Sequence, residues 1–211
     1  MVTRLRKPVI VQGDDKRESL GLIHIITGDG KGKTTASLGL ALRAVGYGLK
    51  VYMIQFLKCC DTGELFAVQK YLPNITIAQY GTGALGESQK RIYEFGGKVP
   101  DELNSSFEFK PDMEEKEAAQ MGVQHALRIL NSKTCDLLIL DEVNCVVDKD
   151  LVTIDDIKKL VETARENKIE LVMTGRDAPK AMHEFADYVS SVERIKHPWQ
   201  QGIKARKGVE Y

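Results

Sequence analysis

Between residues 27 and 35 the chain reads Thr27-Gly28-Asp29-Gly30-Lys31-Gly32-Lys33-Thr34-Thr35, and no other stretch restricts the fold as tightly. Glycine accepts backbone angles closed to other residues. Three at alternating positions let the chain turn inward and aim successive amides at one anion. With glycine near 7% of residues, such a triplet arises by chance in about one of 3,000 windows. The apolar run Leu22-Ile23-His24-Ile25-Ile26 precedes it, and Ala36, Leu38, Leu40, Ala41 and Ala44 follow in a pattern that suggests a helix. A strand, a glycine turn and a helix in that order are the context of a phosphate-binding loop. The helix start contributes about half a positive charge. Lys33 supplies a full charge to the outer phosphates, and the Thr34 hydroxyl can ligate Mg²⁺. Thr27 stands where the usual motif begins with glycine, so Gly28 is expected to make the turn one position later. The candidate nucleotide-binding residues are Gly28, Asp29, Gly30, Lys31, Gly32, Lys33, Thr34 and Thr35, with Lys33 the candidate catalytic group.

Such a loop needs a carboxylate at the end of a neighbouring strand to hold the metal. Leu137-Leu138-Ile139-Leu140-Asp141-Glu142 offers two. Strand alternation predicts that Asp141 and Glu142 point in opposite directions and do different jobs, one as a metal ligand and the other orienting water or a loop.

The remaining pattern alternates strands with helices. Strands are expected over 51–56, 75–80, 137–141, 171–174 and 188–195, and helices over 33–45, 112–130, 153–166 and 179–185. Asp112 with Glu115 resembles a capping box, and Thr153 can cap the helix that follows it. Residues 81–111 carry many glycines and no clear period, and are read as an excursion with one short helix. Residues 1–20 are a polar arm and 21–211 a nucleotide-binding domain. The sum is a single doubly wound α/β domain with a mostly parallel sheet covered on both faces.

Thirty Lys and Arg balance thirty Asp and Glu, so no net field argues for nucleic acid or an anionic membrane as partner. No apolar run approaches the roughly 18–20 residues that span a bilayer. The basic N-terminus is followed by too short an apolar run for a signal peptide. With Cys59, Cys60, Cys135 and Cys145 lacking any metal-pair spacing and read as reduced, a cytoplasmic protein is expected. His24 is expected to be buried and hydrogen-bonded. His125 and His183 are read as helix-surface residues, and Trp199 as a pocket, dimer or core side chain.

With these motifs in place, the chain resembles the P-loop type ATP:corrinoid adenosyltransferases. The resemblance runs from about Leu22 to Tyr211. It is carried by the glycine loop, Ala41-Leu42-Arg43-Ala44-Val45-Gly46, Gln55-Phe56-Leu57-Lys58, Leu140-Asp141-Glu142 and Thr174-Gly175-Arg176. The tail adds Lys196-His197-Pro198 and Gly202-Ile203-Lys204-Ala205-Arg206-Lys207-Gly208-Val209-Glu210-Tyr211. It implies a RecA-like sheet, a homodimer, and ATP lying in the loop in the reverse of the common direction. Triphosphate would leave C5′ of the ribose, and the nucleophile would be Co(I) of a corrinoid, reduced by an external donor such as a flavoprotein. It also implies Thr34 and Glu142 as partners of Mg²⁺ or Mn²⁺, and the polar arm as a cap over the corrinoid. The family carries two aromatic residues near Gly81-Thr82-Gly83 that help displace the lower cobalt ligand. Here Ala84 and Gly86 stand there, and Tyr80, Tyr93, Phe95 and Phe107 are the aromatic side chains on hand to substitute. His197, in the matched tail, is a further candidate.

Two other readings stay open on the sequence alone. A kinase or ATPase would cut at the γ-phosphate, with Gln55 or Arg176 available to serve in activating water, and a regulatory protein would bind ATP without turnover.

Overall fold

The computed structural model describes residues 19–58, 62–81, 94–95 and 111–210. The first eighteen residues of the arm, Cys59, Cys60, Ala84, Gly86, Tyr93 and Phe107 lie outside them, as do the side chains of Phe95, Asp112 and Trp199. The chain runs β1 (Ile23–Thr27), α1 (Lys33–Gly46), β2 (Val51–Phe56), α2 (Gly63–Tyr71), β3 (Ile75–Tyr80), β4 (Glu94–Phe95) and α3 (Pro111–Ser132). It continues β5 (Leu137–Asp141), α4 (Val143–Asp148), α5 (Ile154–Glu166), β6 (Glu170–Thr174), α6 (Lys180–His183) and β7 (Tyr188–Ser191), then a 3-10 turn at Pro198–Gln201. One sheet holds all the strands in the order β4-β3-β2-β5-β6-β1-β7. Six strands are parallel, and the two-residue β4 pairs antiparallel with β3.

Alternation along the strands divides the core into two layers. Ile23, Ile25, Tyr52, Ile54, Phe56, Leu138, Leu140, Leu171 and Met173 face α3, α4 and α5. Val51, Met53, Ile75, Ile77, Leu137, Ile139 and Val172 face α1 and α2, through Ala41, Ala44, Leu65 and Val68. The same parity assigns the polar residues at the strand ends. Gln79, Gln55 and Asp141 stand in register on β3, β2 and β5. They continue the face that points to α1, so the carboxyl edge of the sheet presents a buried polar row beside the glycine loop.

The helices form where expected, with differences at their edges. Thr153 caps α5 in a reciprocal box with Asp156, and Ile157, Leu160, Val161 and Ala164 share its buried face. Helices α2 and α4 are additions to the sequence reading. In α2 only Leu65 and Val68 are buried, which leaves little periodicity to see. The run Val143–Asp148 is short and apolar on most sides, so it has no helical stripe. The last strand ends at Ser191, short of residue 195, because Val192 turns its carbonyl to Gly30 instead.

His125 corrects the surface reading. It is 4% exposed, because α3 lies so close to the sheet that a Cβ on Gly122 would sit 2.6 Å from the Phe56 ring. Tyr52 and Tyr80 hydroxyls meet its two ring nitrogens at 3.3 and 2.7 Å. The same contact removes Tyr80 from the aromatic side chains available to act on cobalt, since it is 2% exposed and bound in the core. His183 is half-buried on α6, and His24 stacks on Tyr188 and meets Glu170 at 2.6 Å.

Burial, reinforced by the nearby Arg128 charge, lowers His125 from the ordinary histidine value to about 4. Its folded pKa thus lies below the unfolded value near 6.5, and the unfolded chain takes up the proton first. The neutral ring's stabilisation is fully present above about pH 6.5 and is lost as pH falls toward 4, on the order of 3 kcal/mol. Urea unfolding at pH 4.5 and pH 7 checks this: the difference between the two should shrink by most of that amount in His125→Asn.

Candidate active site

Strand β1 delivers the chain to the glycine loop, and the loop's shape is set by the chain leaving β7. Gly28 has φ +99°, and a Cβ there would lie 2.4 Å from the Val192 carbonyl oxygen. Gly30 passes as closely, with a Cβ placed 2.7 Å from the Glu193 oxygen. Its N–H donates to the Val192 carbonyl at 2.8 Å. The Gly30 amide is therefore spent inside the protein, which corrects the expectation that all three glycines aim amides at one anion. Asp29 closes the seam from the other side, accepting from the Arg194 amide at 3.0 Å and meeting its guanidinium at 3.1 Å. The amide bond and that charge hold the Asp29 carboxyl below the usual carboxylate range.

Gly32, at φ +120°, opens α1 without a side-chain cap. The amide of Ala36 reaches back to the Gly32 carbonyl at 2.7 Å. The amides of the first turn before it, at Lys33, Thr34 and Thr35, are those a helix leaves for an anion. Lys33 is 6% exposed. It arches over the loop to donate to the Gly28 and Gly30 carbonyls at 2.7 and 2.8 Å. Burial lowers the Lys33 pKa, and the Glu142 charge opposes that shift. Thr35 is exposed and lines a groove with Thr34, while Lys31 lines the hollow on the other side.

Asp141 and Glu142 have different surroundings, although Glu142 leaves the strand instead of continuing its alternation. Asp141 is wholly buried. Its Oδ1 accepts from Thr34 Oγ1 at 2.8 Å and Thr174 Oγ1 at 2.7 Å. Its Oδ2 accepts from Lys58 Nζ at 2.6 Å and Gln55 Nε2 at 3.3 Å. Gln55 also donates to Glu64 and accepts from Gln79, so it is built into the wall rather than poised over a water. Glu142 leaves the strand in a left-handed conformation, φ 64°, a costly angle for a side chain with a Cβ and one that clusters at functional sites. Its amide donates to Thr174 Oγ1 at 3.2 Å, and Cys145 Sγ donates to its carboxylate at 3.1 Å. Burial and that carboxylate push the Cys145 thiol up to about 11, so it is a donor and not a thiolate nucleophile.

Sequence reasoning named Lys58 and Thr174 only as parts of matched segments and gave neither a role. The shared strand-end register was the available signal for Gln55, Gln79 and Asp141. Lys58 and Arg194 sit in irregular chain, where no period assigns a direction.

Two hollows flank the loop. One, of about 390 Å³, is lined by Lys31, Arg176, Arg194, His197, Lys204 and Arg206 with Asp29 and Glu210. The two acids are already paired with Arg194 and Arg206, so the hollow keeps a positive excess suited to phosphate. The other, of about 660 Å³, runs from Thr34 and Thr35 between α1 and α2 and is mostly apolar. Arg176 and His197 thus lie together in the basic hollow. Among the described residues no three His, Cys, Asp or Glu side chains form a metal cage. Mg²⁺ bound largely by phosphates and water needs only one or two protein oxygens, and Thr34 and Glu142 beside Lys33 fit that requirement.

Residues 19–211 match the family model described as ATP:corrinoid adenosyltransferase BtuR/CobO/CobP. The chain is similar to the corrinoid adenosyltransferase of Escherichia coli K12, 31% identical over 204 residues that cover 96% of this chain and 90% of that protein. It is also similar to corrinoid adenosyltransferase CobA of Salmonella typhimurium, 31% identical over 197 residues covering 92% and 88%. The corrinoid adenosyltransferase of Pseudomonas aeruginosa is 30% identical over 211 residues, covering 98% and 92%. Among solved structures, a KaiC-like protein from Pyrococcus horikoshii superimposes with a TM-score of 0.53 at 16% identity, covering 84% of this chain and 75% of that one. That likeness speaks for the fold alone, a mostly parallel α/β sheet.

Gly28→Ala combines a forbidden backbone angle with a clash against main-chain atoms. It is expected to lower stability by about 2 kcal/mol or more and to weaken ATP binding at least tenfold, measured by thermal unfolding and calorimetric titration.

Proposed function

The chain belongs to the ATP:corrinoid adenosyltransferase family, an enzyme that moves the adenosyl group of ATP to a corrinoid, and on that premise we propose how its own residues carry the reaction. The triphosphate lies in the glycine loop, held by the first-turn amides of α1 and by Lys33, with Gly28, Asp29, Gly30, Lys31, Gly32, Thr34 and Thr35 shaping the bed. The Co(I) lone pair forms the Co–C5′ bond as the C5′–O5′ bond breaks, and that electron pair leaves on triphosphate. Catalysis is then positioning together with neutralisation of the departing charge. Mg²⁺, or Mn²⁺ with similar oxygen preference, would be held by Thr34 and Glu142 and would neutralise phosphate charge when bound.

The observation that carries this reading is the placement of Lys33, nearly buried at the mouth of the loop and within the field of Glu142. The basic hollow supports a highly charged leaving group, with Lys31 and Arg176 at its wall. Gln55, tied to Glu64, Asp141 and Gln79, offers no help to a γ-phosphate hydrolase. An external reductant, such as a flavoprotein, supplies Co(I), and a homodimer belongs to the same reading. So does a reducing cytoplasmic setting, consistent with the free thiols of Cys135 and Cys145. No helix among the described residues is long and apolar enough to cross a membrane.

Anaerobic incubation with ATP, Mg²⁺, hydroxocobalamin and a strong reductant tests the proposal. A light-sensitive Co–C spectrum and inorganic triphosphate by phosphorus NMR are expected; ADP without a Co–C product would overturn it. Lys33→Ala should cut turnover by about 100-fold or more.

A further inference from the structure

We propose that Lys58 is a positioning residue for this site: by neutralising the buried Asp141, its ammonium fixes the Thr34 hydroxyl with its proton turned inward and its lone pairs left for the metal–nucleotide. The inference rests on the reading of Thr34 given above and extends it to a residue outside the loop.

An ionised carboxylate only accepts hydrogen bonds. Thr34 Oγ1, 2.8 Å from Asp141 Oδ1, must therefore be the donor, and its acceptor capacity is free to face outward. Asp141 has no exposed surface, so the partners it meets inside the protein set that geometry. Three of its four partners, Thr34, Thr174 and Gln55, are neutral. Among the described residues Lys58 is the one cation bonded to it, at 2.6 Å, and the same ammonium lies 3.9 Å from Glu64 Oε1.

The backbone is built to put Lys58 there. Leu57 adopts a left-handed φ of 56° immediately after β2, and its amide is anchored on the Tyr80 carbonyl at 2.8 Å. Gly81 passes so close that a Cβ would lie 2.5 Å from the Lys58 main-chain nitrogen. The Lys58 side chain is 23% exposed and borders the groove shared with Thr34 and Thr35.

Calorimetric titration of the full chain with ATP, in EDTA and in Mg²⁺, separates this role from others. In Lys58→Met the affinity without metal should stay within about threefold of wild type, while the gain conferred by Mg²⁺ falls about tenfold or more. Lys58→Arg should keep most of the gain. Thr34→Val should lose it as fully as the double variant does, because the two residues act as one unit. An unchanged Mg²⁺ gain in Lys58→Met overturns the proposal, and so does an equal loss with and without metal, which marks a direct phosphate contact. If Thr34→Val itself keeps the gain, the reading of Thr34 fails independently of Lys58. Should Lys58→Met not yield folded protein, Lys58→Gln keeps a donor for Asp141 without the charge and carries the same measurement.

Discussion

A carboxylate with no exposed surface has to find donors for both oxygens within the protein, since removing one partner from a buried charge costs about 3–5 kcal/mol. Asp141 collects them from four separate places: the start of α1, the end of β6, the end of β2 and the turn beyond β2. Those elements are neighbours because the strand order places β5 between β2 and β6, with β1 one strand further on. The sheet edge and the glycine loop are therefore joined through one charge. Asn144 adds a second join, donating from α4 to the Ile26 and Gly175 carbonyls.

The separation of duties between Asp141 and Glu142 follows from the same demand. The strand parity that buries Ile139 sends Asp141 to the α1 side, where its oxygens are saturated by protein donors. Glu142 escapes the strand through a left-handed turn and keeps a carboxylate near Lys33. One acid is saturated by protein donors from four elements, and the next accepts from Cys145 and stays near Lys33.

Much of this was readable beforehand, and the reasons for the rest are physical. The glycine spacing identified the loop because few other structures need three glycines in alternation. The central strands were legible because parallel strands covered on both faces read as nearly unbroken apolar runs. His125 was not, because a histidine on a helix reads as polar until two tyrosines from different strands are brought to its ring. Helix α4 was hidden because it is short and buried on most sides, and α2 because only Leu65 and Val68 mark its inner face. The seam between the loop and the end of β7 was invisible because, apart from the Asp29–Arg194 pair, it is made by main-chain atoms, which have no residue code.

That seam has a consequence for how such a protein drifts. Gly28 and Gly30 rest on the peptide groups of Val192 and Glu193, not on their side chains. Side-chain exchanges at 192 and 193 therefore leave the glycine loop unmoved, whereas one residue gained or lost within β7, or between it and Val192, slides a different peptide under the glycines. Spacing, and not side-chain identity, is the heritable quantity at that point in the chain.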